Sequence, residues 1–282
     1  RTAIAMGAAL FLVVSGAAAA DRSITLLPGT DLPGFDYSTI KDTDLDSCTA
    51  ACTDDKLCQA FTFNEKAGWC FLKGAAGTET PFRGATSGRI AQSPTLEDLA
   101  AEREAELPFP SSDLVYSARY FAEQLASTDT PPEGIPYPEL VANGDAAMTQ
   151  QNAAGAMVSY RQALAINAND PELWLKLATA ANIRGDEEAA HGNGTYELGS
   201  VSNSAATMAF LKAEAVDVRA RALAALAHGF EFRQMWRESI ASYRASVALI
   251  DNAEVQAALD KVVAENGFRV VSNSVDADAA TP

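Results

Sequence analysis

The sequence predicts two folds in series, a small α+β domain stapled by disulfides and an all-α domain built from helical hairpins. Three observations predict it. All four cysteines, Cys48, Cys52, Cys58 and Cys70, fall in one short window. Beyond Ile90 cysteine disappears, and alanine, glutamate and helical periodicity take over. A pattern of small and aromatic residues then recurs along the helical part. The chain therefore divides into an export signal over 1–20, the stapled domain over 21–92, linker helices over 93–136, the hairpin domain over 137–266 and the start of a further β domain over 267–282.

The first segment carries no fold information. Arg1 supplies a basic start, Ile4 to Val14 an apolar stretch, and Ala18-Ala-Ala20 a small-residue cleavage pattern before Asp21. No cysteine follows that site to take a lipid, and nothing else reaches the roughly 20 apolar residues of a membrane span. The mature protein is expected to be periplasmic or secreted, without a transmembrane anchor. In such a compartment thiols oxidise, so an even number of clustered cysteines reads as a disulfide framework with three possible pairings. A Cys₄ zinc site is the competing reading, but zinc ribbons use two short knuckles and the gaps here are uneven.

Around the cysteines, Ser23 to Leu27 reads as a strand ending at Pro28-Gly29, followed by a turn-rich loop through Pro33-Gly34 to Tyr37. Thr43 with Asp46 resembles a capping box opening a helix, on which Leu45, Cys48 and Cys52 share a face. Cys58 to Phe63 and Trp69 to Lys73 are aromatic-rich strands joined by the hairpin loop Asn64 to Gly68. A domain this small, with few large aliphatics, needs covalent staples.

The runs Cys48-Thr-Ala-Ala-Cys52, Cys58-Gln-Ala-Phe-Thr-Phe63 and Trp69-Cys-Phe-Leu-Lys73 resemble the PAN/apple module over residues 21–92. The resemblance implies nested bridges, Cys48 to Cys70 and Cys52 to Cys58. The third bridge of some apple domains has no counterpart. It also implies a module that binds proteins or carbohydrates and catalyses nothing.

In the linker, Thr95-Leu-Glu-Asp98 opens a helix that stops before Pro108-Phe-Pro110. A second helix follows Ser112, with Leu114, Val115, Ala118, Phe121, Ala122 and Leu125 on one face. A proline-rich loop, Ser127 to Pro138, precedes the repeats. Leu140, Gly144 and Ala147 precede Ala156, Tyr160 and Ala163; Trp174, Leu177, Ala178 and Ala181 follow; Leu223, Leu226, Ala227 and Phe230 precede Ser239, Tyr243 and Ser246. Tyr160 and Tyr243 are 83 positions apart, two periods of about 34 with an insertion between them.

This spacing resembles the tetratricopeptide repeat over residues 137–250, with Trp174 matching the motif's tryptophan and Leu140 and Leu223 departing from it. The run His191-Gly-Asn-Gly194 interrupts the middle unit, and a plain alanine-rich bundle is the alternative. The resemblance implies a groove lined by Val141, Asp145 and Met148, then Leu175, Thr179 and Asn182, then Ala224, His228 and Glu231. That set contains no basic cluster to clamp a peptide's terminal carboxylate.

With 21 Lys and Arg against 37 Asp and Glu, a net charge of −16, nucleic-acid binding is excluded as a reading. His191 and His228 give no metal-ligand spacing, Gly84-Ala-Thr-Ser-Gly88 lacks the spacing of a serine-hydrolase elbow, and the cysteines are assigned to bridges. No enzyme, metal or cofactor is therefore expected. Asn193-Gly-Thr195 fits a glycosylation sequon.

After a helix from Glu254 to Glu265, Gly267 is expected to cap and Phe268-Arg-Val-Val271 to begin a strand. An export signal, a PAN-like module, repeat helices and this strand together resemble the N-terminal part of bacterial alpha-2-macroglobulin family proteins, which trap proteases. The resemblance implies an endopeptidase inhibitor whose protease partners engage through downstream domains. These residues contain neither a Cys-x-x-Gln thioester nor a bait region. The alternative is a free-standing PAN and repeat adaptor of the cell envelope. Protein or carbohydrate is the expected partner in either case.

Overall fold

A computed structural model describes residues 22–91 and 96–278. The expected export signal lies outside the described residues. Five antiparallel strands form one sheet in the order β1-β5-β3-β4-β2: β1 (Ser23–Asp31), β2 (Asp36–Ile40), β3 (Ala60–Asn64), β4 (Trp69–Lys73) and β5 (Thr80–Ala91). The hairpin β3–β4 pairs Phe63 with Cys70 and Phe61 with Leu72, placing these four on the face covered by α1 (Leu45–Asp54). Disulfides join Cys48 to Cys70 and Cys52 to Cys58. All four cysteines are fully buried; Cys48–Cys70 ties the helix to the apolar side of the sheet, and Cys52–Cys58 ties its last turn to the segment leading into β3.

Local chemistry differs from the sequence reading at three places. The helix is capped by Asp44, whose carboxylate accepts from Ser47 N at 2.7 Å, and not by Thr43, whose backbone N–H bonds Gly68 O. The segment read as a loop to Tyr37 runs into the edge strand β2. The first strand does not end at Pro28-Gly29 but runs on as β1 to Asp31, paired with β5, which lies between β1 and β3. Gly88 is small for a packing reason, since a Cβ there would meet Phe61 Cε1 at 2.3 Å.

The all-α part begins with α2 (Leu96–Ala105) and α3 (Ser112–Thr128). It continues as α4 (Tyr137–Thr149), α5 (Ala153–Ile166), α6 (Pro171–Ala190), α7 (Tyr196–Lys212), α8 (Val216–Phe232), α9 (Trp236–Leu249) and α10 (Ala253–Asp278). From α4 onward each helix packs on the next, and α6 also packs on α8. This is the arrangement of stacked helical hairpins. The run His191 to Gly194 is the turn from α6 to α7, with Gly192 in the left-handed region, so it joins two helices without breaking the stack.

The recurring residues are the ones that let the helices approach. Leu140, Ala156, Tyr160, Trp174, Ala178, Leu223, Phe230, Ser239 and Tyr243 are all buried. Gly144 of α4 receives the Tyr160 ring, and a Cβ there would meet Tyr160 Cε1 at 2.2 Å. Helix α3 lies against α5 and α7, the second helices of the first two hairpins, and α2 against α7, while Phe109 is edge-on to Phe230 of α8 and Phe121 tilted against Trp174 of α6.

The sheet and helices share one apolar core. Tyr37 of β2 meets Tyr137 of α4 edge to face at 5.9 Å. Each hydroxyl donates to a carboxylate of its own part, Tyr37 to Asp55 and Tyr137 to Asp170. Asn169 Nδ2 donates to Gly74 O across the same junction.

The expected strand from Phe268 is corrected. Residues 253–278 form one helix, and Gly267 lies inside it without a left-handed backbone. A lone strand would leave its backbone donors and acceptors unpaired, whereas a helix satisfies them within the segment. The β propensity of Val270 and Val271 therefore yields, and the start of a β domain over 267–282 is not what residues 267–278 form.

Candidate functional site: a groove of the helical stack

A groove of about 610 Å³ opens between α6, α8, α9 and the start of α10. Its size falls within the range typical of ligand sites. Leu175, Thr179 and Asn182 reach it from α6, and Ala224 and His228 from α8. Their spacing of three or four residues places each set on one helix face. Tyr243 and Ser246 contribute from α9, and Val255 and Ala258 from α10.

The floor is largely apolar, and the polar groups that cross it are anchored. Asn182 Nδ2 donates to Ala225 O at 3.0 Å, and Ser246 Oγ to Ala220 O at 2.7 Å. Tyr243 donates to Glu231 Oε1 at 2.7 Å. Burial pushes the Glu231 carboxyl above the usual carboxylate range, against the pull of the Tyr243 hydrogen bond and the neighbouring His228 and Lys261. The Tyr243 hydroxyl is pushed up by burial and by that carboxylate.

The rim is charged. His228 Nε2 faces Asp186 Oδ1 at 3.1 Å, and its ring packs on Phe232. Arg221 is held by Glu172 at 2.5 Å and Asp217 at 3.2 Å, and the Glu172 hydrogen bond raises its pKa further. With Asp186, Asp217 and Glu254 on the same rim, Arg221 is already neutralised, and among the described residues lining the groove none presents a cationic clamp for a carboxylate.

The nine residues expected to line a groove separate into groups. Leu175, Thr179, Asn182, Ala224 and His228 come together in the cavity. Glu231 adjoins it through Tyr243. Val141, Asp145 and Met148 do not line it. Asp145 accepts from Tyr160 at 2.8 Å and from Lys176 at 2.6 Å, so it joins α4, α5 and α6. Burial raises its pKa, but the hydrogen bonds from Lys176 and Tyr160 and the lysine charge outweigh it, leaving the carboxyl below the usual range. Val141 and Met148 pack against the core. The repeat pattern places Tyr243 and Ser246 in the third hairpin but not in the groove lining, and it stops at residue 250, before α10. The apolar positions Val255, Ala258, Leu259 and Val262 are the signal that α10 continues the stack.

Among the described residues, no group of three or more His, Cys, Asp or Glu could hold a metal ion, and no helix is long and apolar enough to cross a membrane.

Residues 23–92 match the PAN domain family, whose members are modules that bind proteins or carbohydrates. No curated protein and no solved structure matches the chain.

Proposed function

We propose that the chain is a non-catalytic recognition protein of an oxidising, extracytoplasmic compartment. Residues 21–92 form its PAN module, 93–136 the helices that buttress the stack, and 137–266 a hairpin domain whose groove takes an extended protein segment. The observation that carries the reading is the PAN match over a sheet and helix closed by two disulfides, because such bridges persist in oxidising compartments. The groove supports it through an apolar floor crossed by anchored polar groups and a charged rim, the usual composition of a recognition site.

The narrower reading, an N-terminal segment of an alpha-2-macroglobulin-like inhibitor, drew on a strand at Phe268. Since that segment is helical, the proposal stops at recognition.

Peptide display against the whole chain tests it. Enriched peptides should lose binding to Thr179→Trp and Ala224→Trp, which fill the groove. Peptides that bind both variants as well as the native chain would overturn the groove as the recognition site.

A further inference from the structure

The sheet face opposite α1 carries a second cavity, of about 190 Å³, lined by Asp31, Pro33, Thr62, Asn64, Phe71 and Phe82 among others. It is smaller than the roughly 300–1,000 Å³ of sites for drug-sized ligands, so it accommodates a single ring. From these groups we propose a binding site for one residue of a neutral saccharide. The inference rests on the reading of the PAN module as a recognition module and names its ligand class.

A bulge builds the site. The β1–β5 register jumps between Pro28, paired with Thr86, and Thr30, paired with Pro81. Residues 82–85 therefore leave the β1 ladder, and Glu65 N holds Gly84 O at 2.9 Å. Bulges re-aim side chains, and here Phe82 stands 50 % exposed as one wall. Phe71 is half-buried in the cavity, and Trp69 extends the aromatic surface, edge-on to Phe71 at 6.2 Å.

The polar groups narrow the ligand class. Lys73 is buried, and its ammonium is spent on Asp36 and on Gly34 O. Thr62 is saturated by Ser87 and Leu32 N. Asp31 has no side-chain hydrogen bond or ion pair among the described residues, and Asn64 keeps its Nδ2 while its Oδ1 accepts from Ala67 N. One free carboxylate and one free amide donor beside aromatic rings suit a sugar. Its hydroxyls donate to the carboxylate in charge-assisted bonds, and its apolar C–H face lies on the negative face of a ring. The unpaired charge lining the cavity is that of Asp31, and Lys41 lies outside it, 4.7 Å over the Trp69 ring, so sialylated and uronate sugars are repelled from the cavity itself.

The test is a glycan array probed with the whole chain, followed by titration of the neutral oligosaccharides bound. Binding should fall about tenfold, a loss of about 1.4 kcal/mol, in both Phe82→Ala and Asp31→Asn. Salt should have little effect, and Ala224→Trp in the helical groove none. Phe82 is exposed and Asp31 unpaired, so both variants should keep the native melting temperature. Failure to bind neutral glycans, preference for acidic ones, or binding unchanged in both variants would overturn the proposal. Salt-sensitive binding of basic peptides lost in Asp31→Asn would also overturn it, while leaving the PAN module a recognition module.

Discussion

Tyr160 of α5 and Tyr243 of α9 stand in equivalent places in their hairpins. Each ring is buried, and each hydroxyl donates back to a carboxylate on the preceding helix, Asp145 at 2.8 Å and Glu231 at 2.7 Å. The repeat is thus a recurrence of chemistry as well as of small residues.

The two carboxylates differ in what else holds them, so the tyrosines should differ in worth. Asp145 keeps Lys176 when Tyr160 is removed, whereas Glu231 is half-buried and loses its direct hydrogen bond with Tyr243. Tyr160→Phe should cost about 1 kcal/mol and Tyr243→Phe about 2 kcal/mol. Urea denaturation of both variants checks the order.

Their pH dependences should have opposite signs. Asp145 is held below its unfolded value of about 3.9 by Lys176 and Tyr160. Its contribution is present above that pH and lost as pH falls through the folded pKa. Glu231 is raised by burial, so its contribution is present below its unfolded value of about 4.3 and lost as pH rises through the folded pKa. Urea midpoints between about pH 3 and 7 should show Asp145→Asn removing part of the acid-side loss and Glu231→Gln removing part of the decline on the other side.

Gly144→Ala tests the close approach in the first hairpin. In an open helix the change would gain about 1 kcal/mol. Here a methyl group would meet the Tyr160 ring, which is pinned by Asp145. Overpacking of about 1–3 kcal/mol wins, and the melting temperature should fall. Gly194→Ala, with nothing within 4 Å of the added carbon, should be neutral.

The bridges should be unequal. Cys48–Cys70 spans 22 residues and Cys52–Cys58 spans 6. Loop-closure entropy puts the first near 3 kcal/mol and the second near 2 kcal/mol. Denaturation of the two paired Cys→Ala variants measures this, and the larger loss should follow Cys48 and Cys70.

Much of this fold is legible because its signals are local. The cysteine window, the loop Asn64 to Gly68 and the faces of α3, α6 and α8 depend on short-range spacing. Edge strand β2 and strand β5 are not legible: β5 is rich in small residues because Phe61 and β1 crowd it, and such a sequence carries no alternation. At Phe268 to Val271 local β propensity misleads, since backbone pairing within α10 prevails. The groove was half legible. Spacing gives which face of α6 and α8 is exposed, but that Asp145 of α4 turns to Tyr160 and Lys176 and stays out of the groove rests on contacts 15 and 31 residues away that periodicity does not encode.

The α6–α8–α10 groove is the proposed place where this chain holds a protein segment. The most direct measurement is site-specific photo-crosslinking of the whole chain in extracytoplasmic material from its source, with the probe at Thr179 or Ala224 in the groove and at exposed Ala142 on α4 as control. The expected result is one discrete set of adducts from the two groove positions, absent from Ala142 and abolished in the Thr179-probed chain by Ala224→Trp. Adducts that form equally from Ala142, or that persist in the filled groove, would contradict it.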